Sequence, residues 1–278
     1  MKISNGKWFR HSTQEGGFSA LDFLVKIRGV HFVDAVQSLT SGYVISNYQS
    51  KPSQKTKPPP APPKPFTLPK PNRNNDQVVA YLRGRGIDRD VIKQAVSAGV
   101  LYENLKHRCV FVGKDENGKP KFACERGITN DLKKDIAGSS KQYGFVLPPN
   151  EPNGQAGTTL AVFESPIDTL AHATIHDIGQ TGWDGYRLSL GGVSSKALYG
   201  FLGRNEQISN IQLCLDNDKA GHDATNRIIK ELLSDKRHSH IKIKIAQPPI
   251  GKDYADTLQA IRQNSIERPV NRPKEAVF

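Results

Sequence analysis

Residues 211–224 read IQLCLDNDKAGHDA, and the interpretation of the chain turns on them. The apolar run Ile211 to Leu215 has the length and continuity of a strand buried on both faces of a parallel sheet. Asp216 and Asp218 leave that strand two residues apart, so an extended backbone sends both side chains the same way. Lys219 and Gly221 follow, then a helical pattern from Ala224 to Leu233. Asp-Asn-Asp is also ordinary turn and helix-cap chemistry. The flanking chain decides between a simple cap and two carboxylates converging on a hard cation such as Mg²⁺.

That chain alternates strand and helix. TTLAVFES, residues 158–165, is a strand delivering Glu164 at its exit; Ser165 can cap, and Pro166 start, the helix PIDTLAHATI. YRLSLGGVS is a second strand running through a glycine turn into the helix SSKALYGFLG. HIKIKIAQPP is a fourth strand, followed by GKDYADTLQAI. Such alternation implies right-handed crossovers, hence an α/β domain with a mostly parallel four-stranded sheet flanked by helices, over residues 158–265. All strand exits then share one edge, where Glu164, Asp216, Asp218 and Asp253 can meet. Asp253 and Asp256 either complete a metal site or are acids favoured by the dipole at a helix start.

Upstream, residues 76–150 predict an α+β unit. DQVVAYLRGRGIDRDVIKQAVSAGVLYE gives two helices broken at Gly84 and Gly86, with Asp88 as cap of the second. HRCVFVGKDENGKPKFACERG gives strands over Cys109–Val112 and Lys121–Cys124 around an Asn117-Gly118 turn. Lys106, Arg108, Lys114, Lys119, Lys121 and Arg126 crowd this hairpin, and GSSKQYGFVLP adds Lys141. Cations with aromatics on a β-surface suit a nucleic-acid backbone, although edge-strand lysines also serve to block aggregation. Residues 49–75 read as a polyproline-type linker: nine prolines lie between Pro52 and Pro71, and no acid occurs between Asp34 and Asp76. Residues 1–48 predict a short hairpin or loop and two amphipathic helices parted at Arg28-Gly29, a small helical unit short of a core of its own.

Lysine and arginine outnumber aspartate and glutamate by 39 to 27, a net charge of +12, which favours a polyanionic partner, nucleic acid first. No apolar run approaches a membrane span, the start MKISNGKWFRH lacks a signal-peptide core, and the three cysteines fit neither a disulfide framework nor a CxxC site. A reducing cytoplasm and no membrane partner are the expectation.

At FES and DNDKAG, with the LSLGGV turn between them, residues 158–260 resemble a Toprim domain, the metal-binding module of bacterial primases, topoisomerases and some nucleases. The likeness extends upstream to DnaG-type DNA primases. YLRGRGI resembles the entry to the primase core, the Lys/Arg-rich hairpin resembles its basic hairpin, and GSSKQYGF the lysine-bearing strand after it. KWFRHSTQEGGFSALDFLVKIRGVHFVDAVQSL resembles the second half of the primase zinc-binding domain, of the CHC2 type. There the chain carries Trp8-Phe9-Arg10-His11-Ser12 where primases carry zinc cysteines. A structural zinc site needs four ligands, so this is read as a degenerate remnant, or a start inside a longer ancestral frame, with no zinc. Nothing resembling a helicase-binding domain follows residue 270.

The resemblance implies a mobile-element primase that makes short primers on single-stranded DNA from NTPs, with Mg²⁺ or Mn²⁺ held by Glu164, Asp216, Asp218, Asp253 and Asp256. Glu164, Asp216 and Asp218 would be catalytic, Glu164 as ligand or as general base for the primer hydroxyl. Lys106, Arg108, Lys121, Arg126 and Lys141 would carry template or triphosphate. A helicase or relaxase of the same element would be the protein partner. The alternatives are a Toprim nuclease or topoisomerase-like phosphoryl transferase, and a non-catalytic DNA-binding accessory.

Overall fold

The computed structural model describes residues 2–4, 7–10, 12, 15–41, 65–149 and 157–267. It divides into two compact units, Met1–Pro62 and Pro63–Phe278. In the first, strands β1 (Lys2–Ser4), β2 (Lys7–Arg10) and β3 (Glu15–Gly17) form an antiparallel sheet in that order. Helices α1 (Ala20–Lys26) and α2 (Phe32–Ser41) follow, parted by Gly29 at φ +67°. Ser19 caps α1, its hydroxyl accepting from the Asp22 amide at 3.1 Å. Trp8 is buried edge-on to Phe23, ring centres 5.7 Å apart, with Val30 and Ala35 also buried. The helices fall where the apolar spacing put them. The unit is not simply helical, however, because the stretch read as a hairpin or loop is a three-stranded sheet.

The second unit begins earlier than the sequence suggested. Residues 49–64 of the expected linker lie outside the described residues, but 65–75 are part of the fold. Phe66 and Leu68 pack on Val110, Val112 and Ala123, Pro69 accepts from the Tyr102 hydroxyl at 2.6 Å, and the Asn72 amide donates to the Glu103 carbonyl at 2.7 Å. Helices α3 (Asp76–Gly84) and α4 (Arg89–Ser97) come next. The buried Glu103 carboxylate accepts from the amides of Gln77 and Val78 at 3.0 and 3.1 Å, supplying the cap that α3's own Asn75 does not. Asp88 makes no side-chain cap to α4, contrary to expectation; its carboxylate pairs instead with Arg262.

A meander β4 (Leu101–Glu103), β5 (Cys109–Lys114), β6 (Pro120–Arg126) and β7 (Lys133–Asp135) is antiparallel throughout. The predicted hairpin is its centre, closed through Gly118 at φ +75°. Then β8 (Phe145–Leu147) crosses over to a different sheet.

That second sheet has the order β12-β11-β9-β10-β8. It is built from β9 (Thr159–Phe163), α5 (Pro166–Ile178), β10 (Tyr186–Ser189), α6 (Lys196–Leu202), β11 (Asn210–Leu213), α7 (Lys219–Ser234), β12 (Lys242–Ile245) and α8 (Tyr254–Glu267). The four expected strands are parallel, and β8 makes a fifth, antiparallel to β10. Alternation along β9 sorts the two faces. Ala161 and Phe163 join α3, α4, α5 and α8, whereas Leu160 and Val162 join α6 and α7. The first of these cores also takes in Phe111 and Phe145, so the segments read as separate domains share one apolar interior. Burying a side chain such as Phe163 contributes about 2–3 kcal/mol.

One buried pair is expected to make that interior pH-sensitive. His172 of α5 is buried, and its Nδ1 accepts from Arg187 Nε at 3.0 Å. Burial, with Arg187 and His176 beside it, holds this imidazole well below its ordinary range. An unfolded histidine takes a proton near pH ~6.5 and the folded one resists it, so stability is full above that pH and lost below it. His172→Gln keeps an acceptor for Arg187 and should flatten the loss of melting temperature between about pH 7 and pH 5. Identical acid curves for variant and wild type would remove His172 as the cause.

Candidate functional site

The parallel strands end together, and the loops leaving them build one acidic edge. Glu164 follows β9, and its carboxylate accepts from the Asp216 amide at 3.3 Å. Asp216 and Asp218 follow β11. Asp218 is the N-cap of α7, taking the Gly221 amide at 2.9 Å. Gly221 is required there, since a Cβ would lie 2.0 Å from the Asp216 carbonyl oxygen and 2.9 Å from Glu164 Oε1. The loop before α8 docks on the same spot, the Asn217 amide donating to the Lys252 carbonyl at 2.7 Å.

This docking sets the Lys252 ammonium between the two aspartates, 3.3 Å from Asp216 Oδ2 and 3.0 Å from Asp218 Oδ2. The paired carboxylates raise the lysine's affinity for its proton. The Gly221 amide, aided by Lys252, lowers the Asp218 carboxyl. Asp216 goes the other way, because burial outweighs Lys252 and lifts its carboxyl above the usual range. Burial and the nearby Asp216 likewise raise Glu164.

Asp168, which the sequence reading passed over, belongs here too. It lies in the first turn of α5, buried, accepting from Ser165 Oγ at 2.6 Å and the Ala255 amide at 3.2 Å. Burial, with Asp253 close by, pushes it up to about 7. A signal for it exists in the sequence: four residues after Glu164, one helical turn into α5, it returns to the same edge. Asp253, just before α8, lines the same cleft and takes the amide of Asp256, in the first turn of that helix, at 2.8 Å. Asp256 is turned away, its carboxylate accepting from the Lys252 amide at 2.9 Å.

A cleft of about 490 Å³ opens between this edge and the meander. Glu164, Asp168, Asp216 and Asp253 line one wall with Lys252 beside them; Arg126, Lys133 and Lys134 line the other together with Glu125 and Asp135, and Lys134 pairs with Glu125 at 3.2 Å. Arg126 Nε is buried and meets no acceptor among the described residues. It is the one expected nucleic-acid residue that reaches the cleft. Arg108 instead pairs with Glu125 at 3.0 Å, Lys121 with Asp115 at 3.4 Å, and Lys141 with Asp135, while Lys106 is exposed at the β4–β5 bend. Arg108 and Lys121 are thus held in ion pairs within the meander, where β5 and β6 are inner strands and not the edge that the aggregation-blocking reading requires.

For a divalent cation the donor types are right. Two carboxylate oxygens already face one positive charge, and Glu164 stands beside them. As arranged, no group of three or more ligating side chains forms a closed metal shell among the described residues. Lys252 takes the place an ion would fill, so an ion bound by these carboxylates would compete with it. Lys252→Met should therefore tighten Mg²⁺ binding about tenfold in titration calorimetry. An unchanged or weaker affinity would mean that the ammonium does not contest the site.

Comparisons with known proteins bear on this arrangement. Residues 161–258 match a family model described as Toprim-like, close to the segment expected from FES and DNDKAG. Residues 80–151 match the model of a protein of unknown function, DUF3991. An uncharacterised protein of Bacillus anthracis is 29% identical over 168 residues, 55% of this chain and 47% of that protein, so the match spans about half the relative's length. Among solved structures, the primase fragment of the bacteriophage T7 primase-helicase protein is similar with a TM-score of 0.49 at 17% identity, covering 95% of this chain and 90% of that one. The zinc-binding and RNA polymerase domains of the Aquifex aeolicus primase give 0.46 at 15% identity, covering 95% and 72%. A DnaG primase catalytic domain bound to single-stranded DNA gives 0.47 at 18%, covering 69% of each chain.

Proposed function

From a Toprim-like domain at residues 161–258, we propose that this chain is a Mg²⁺- or Mn²⁺-dependent nucleotidyltransferase of primase type. It would join NTPs into short primers on single-stranded DNA during replication of a mobile element, beside a helicase or relaxase. The observation that carries the reading is the cleft itself, with the strand-exit carboxylates on one wall and Arg126, Lys133 and Lys134, interspersed with Glu125 and Asp135, on the other. A triphosphate needs both: cations for its outer oxygens and carboxylates to hold a divalent ion against them. When bound, that ion would neutralise charge on the phosphate oxygens at the point of transfer.

The protein's own groups have separable tasks. Asp216 and Asp218 would hold the metal, with Glu164 as third ligand. Glu164 has a second possible task, since a carboxyl raised by burial takes a proton more readily and suits the acceptor for the attacking hydroxyl. Asp168 and Asp253 line the cleft where a second ion or ordered water can be held. Arg126 offers a guanidinium edge to phosphate oxygens.

A second reading, a DNA-binding accessory without catalysis, is favoured by Lys252, which already neutralises both aspartates. Incorporation of labelled NTPs on single-stranded DNA with Mg²⁺ separates the two. Short products support the primase reading. Metal-dependent cutting of the template instead would make the domain a nuclease, and DNA retention with neither reaction would leave the accessory reading.

A further inference from the structure

The loop between β12 and α8 presents one lysine to the acidic edge. Gly251 turns the loop at φ +77°, where a Cβ would lie 2.5 Å from the Asp256 Cβ. The Lys252 amide then donates to Asp256 Oδ2 at 2.9 Å, and the Lys252 carbonyl accepts from the Asn217 amide at 2.7 Å. The backbone of this lysine is thus pinned on both sides, while its side chain lines the cleft and stays 55% exposed. Its root is fixed and its head is free.

That head holds the two partners an ion would take from it, Asp216 Oδ2 at 3.3 Å and Asp218 Oδ2 at 3.0 Å. An ion entering alone must break both charge-assisted contacts and leave the ammonium nothing but water in exchange. A triphosphate held against the same ion changes the outcome, because its anionic oxygens lie beside the place the ammonium has just left. The cations of the facing wall are less free to answer them there, since Lys134 already pairs with Glu125 at 3.2 Å. Without the ion, a nucleotide meets a lysine that is already satisfied and carboxylates that repel it.

We infer that Lys252 is a phosphate-binding residue that exchanges Asp216 and Asp218 for the triphosphate, and so couples nucleotide binding to metal binding. This role depends on the triphosphate reading of the cleft. Because both events share one ammonium, each ligand strengthens the other's binding by the same factor.

Two binding measurements on the full chain test the exchange without turnover. Titration calorimetry gives the affinity for Mg²⁺ alone. Anisotropy of a fluorescent, non-hydrolysable ATP analogue gives nucleotide affinity in EDTA and in excess Mg²⁺. Lys252→Met should bind Mg²⁺ alone more tightly and bind the analogue in EDTA as wild type does, yet bind it ~10-fold more weakly with Mg²⁺ present. Lys252→Arg, which keeps the charge, should recover most of that loss. Lys242→Met, which removes a charge from the exposed edge strand β12, should stay near wild type. Tighter analogue binding by Lys252→Met in Mg²⁺ would make the lysine a plug that only opposes the ion, and would overturn the role. Equal losses with and without Mg²⁺ would make it a fixed phosphate contact and overturn the exchange. A wild type that binds the analogue beside an indifferent Lys252→Met sinks the role alone, whereas a wild type that binds no analogue in either buffer sinks the triphosphate reading with it.

Discussion

Asp216→Asn with Asp218→Asn is expected to lower metal-dependent primer synthesis by about three orders of magnitude, with little change in melting temperature. Asparagine is as good a helix cap as aspartate, so the Gly221 amide keeps an acceptor and α7 keeps its start. The fold around the site is therefore retained while its negative charge is withdrawn. The amides cannot hold a divalent ion against a triphosphate, and Lys252 loses both of its partners. Labelled-NTP incorporation reads the first effect, and titration calorimetry with Mg²⁺ should show the binding heat disappear. Synthesis at more than a tenth of the wild-type rate would move the chemistry away from these two residues.

Gly221→Ala should destabilise the protein by about 2–3 kcal/mol, the opposite of what alanine does within most helices. Alanine ordinarily gains up to about 1 kcal/mol over glycine in a helix interior. Here the new methyl would meet the Asp216 carbonyl oxygen at 2.0 Å, and that oxygen is backbone, which cannot rotate away. The first turn of α7 must back off from the end of β11. Doing so pulls the Gly221 amide from Asp218 and disturbs Glu164, 2.9 Å from the same position. A fall in melting temperature of about 5–10 °C in thermal denaturation, with weakened Mg²⁺ binding, is the expected result. A rise would show that the loop yields more easily than its packing implies.

The acidic edge was largely legible because parallel strands impose it. Once β9 and β11 are identified, Glu164, Asp216 and Asp218 must emerge at one edge, and Asp253 arrives with the loop that follows β12. Asp168 was hidden because an acid in the first turn of a helix has a sufficient local explanation in the dipole. Lys252 was hidden because its partners lie beyond α7 and β12, a distance no periodicity spans. The pairing of the basic meander was hidden for a related reason. Local reading finds the cations, but Glu125 and Asp135, which neutralise Arg108 and Lys141, come from neighbouring strands or beyond a turn. Strands of three residues, β4, β7 and β8, were too short for alternation to register.

The last of these short strands bears on inheritance. Because β8 pairs with β10 through Leu147, Val146 and Phe145, the seam between the segments matched separately as 80–151 and 161–258 runs between the last two strands of one sheet. A gene cut at that seam would yield a second half whose β10 edge offers bare amides and carbonyls to any passing strand, and copies of such a fragment would pair with each other. The first half would lose the wall that covers Phe111 and Phe145. Exchange of one segment alone would need a donor that brings its own edge strand for β10.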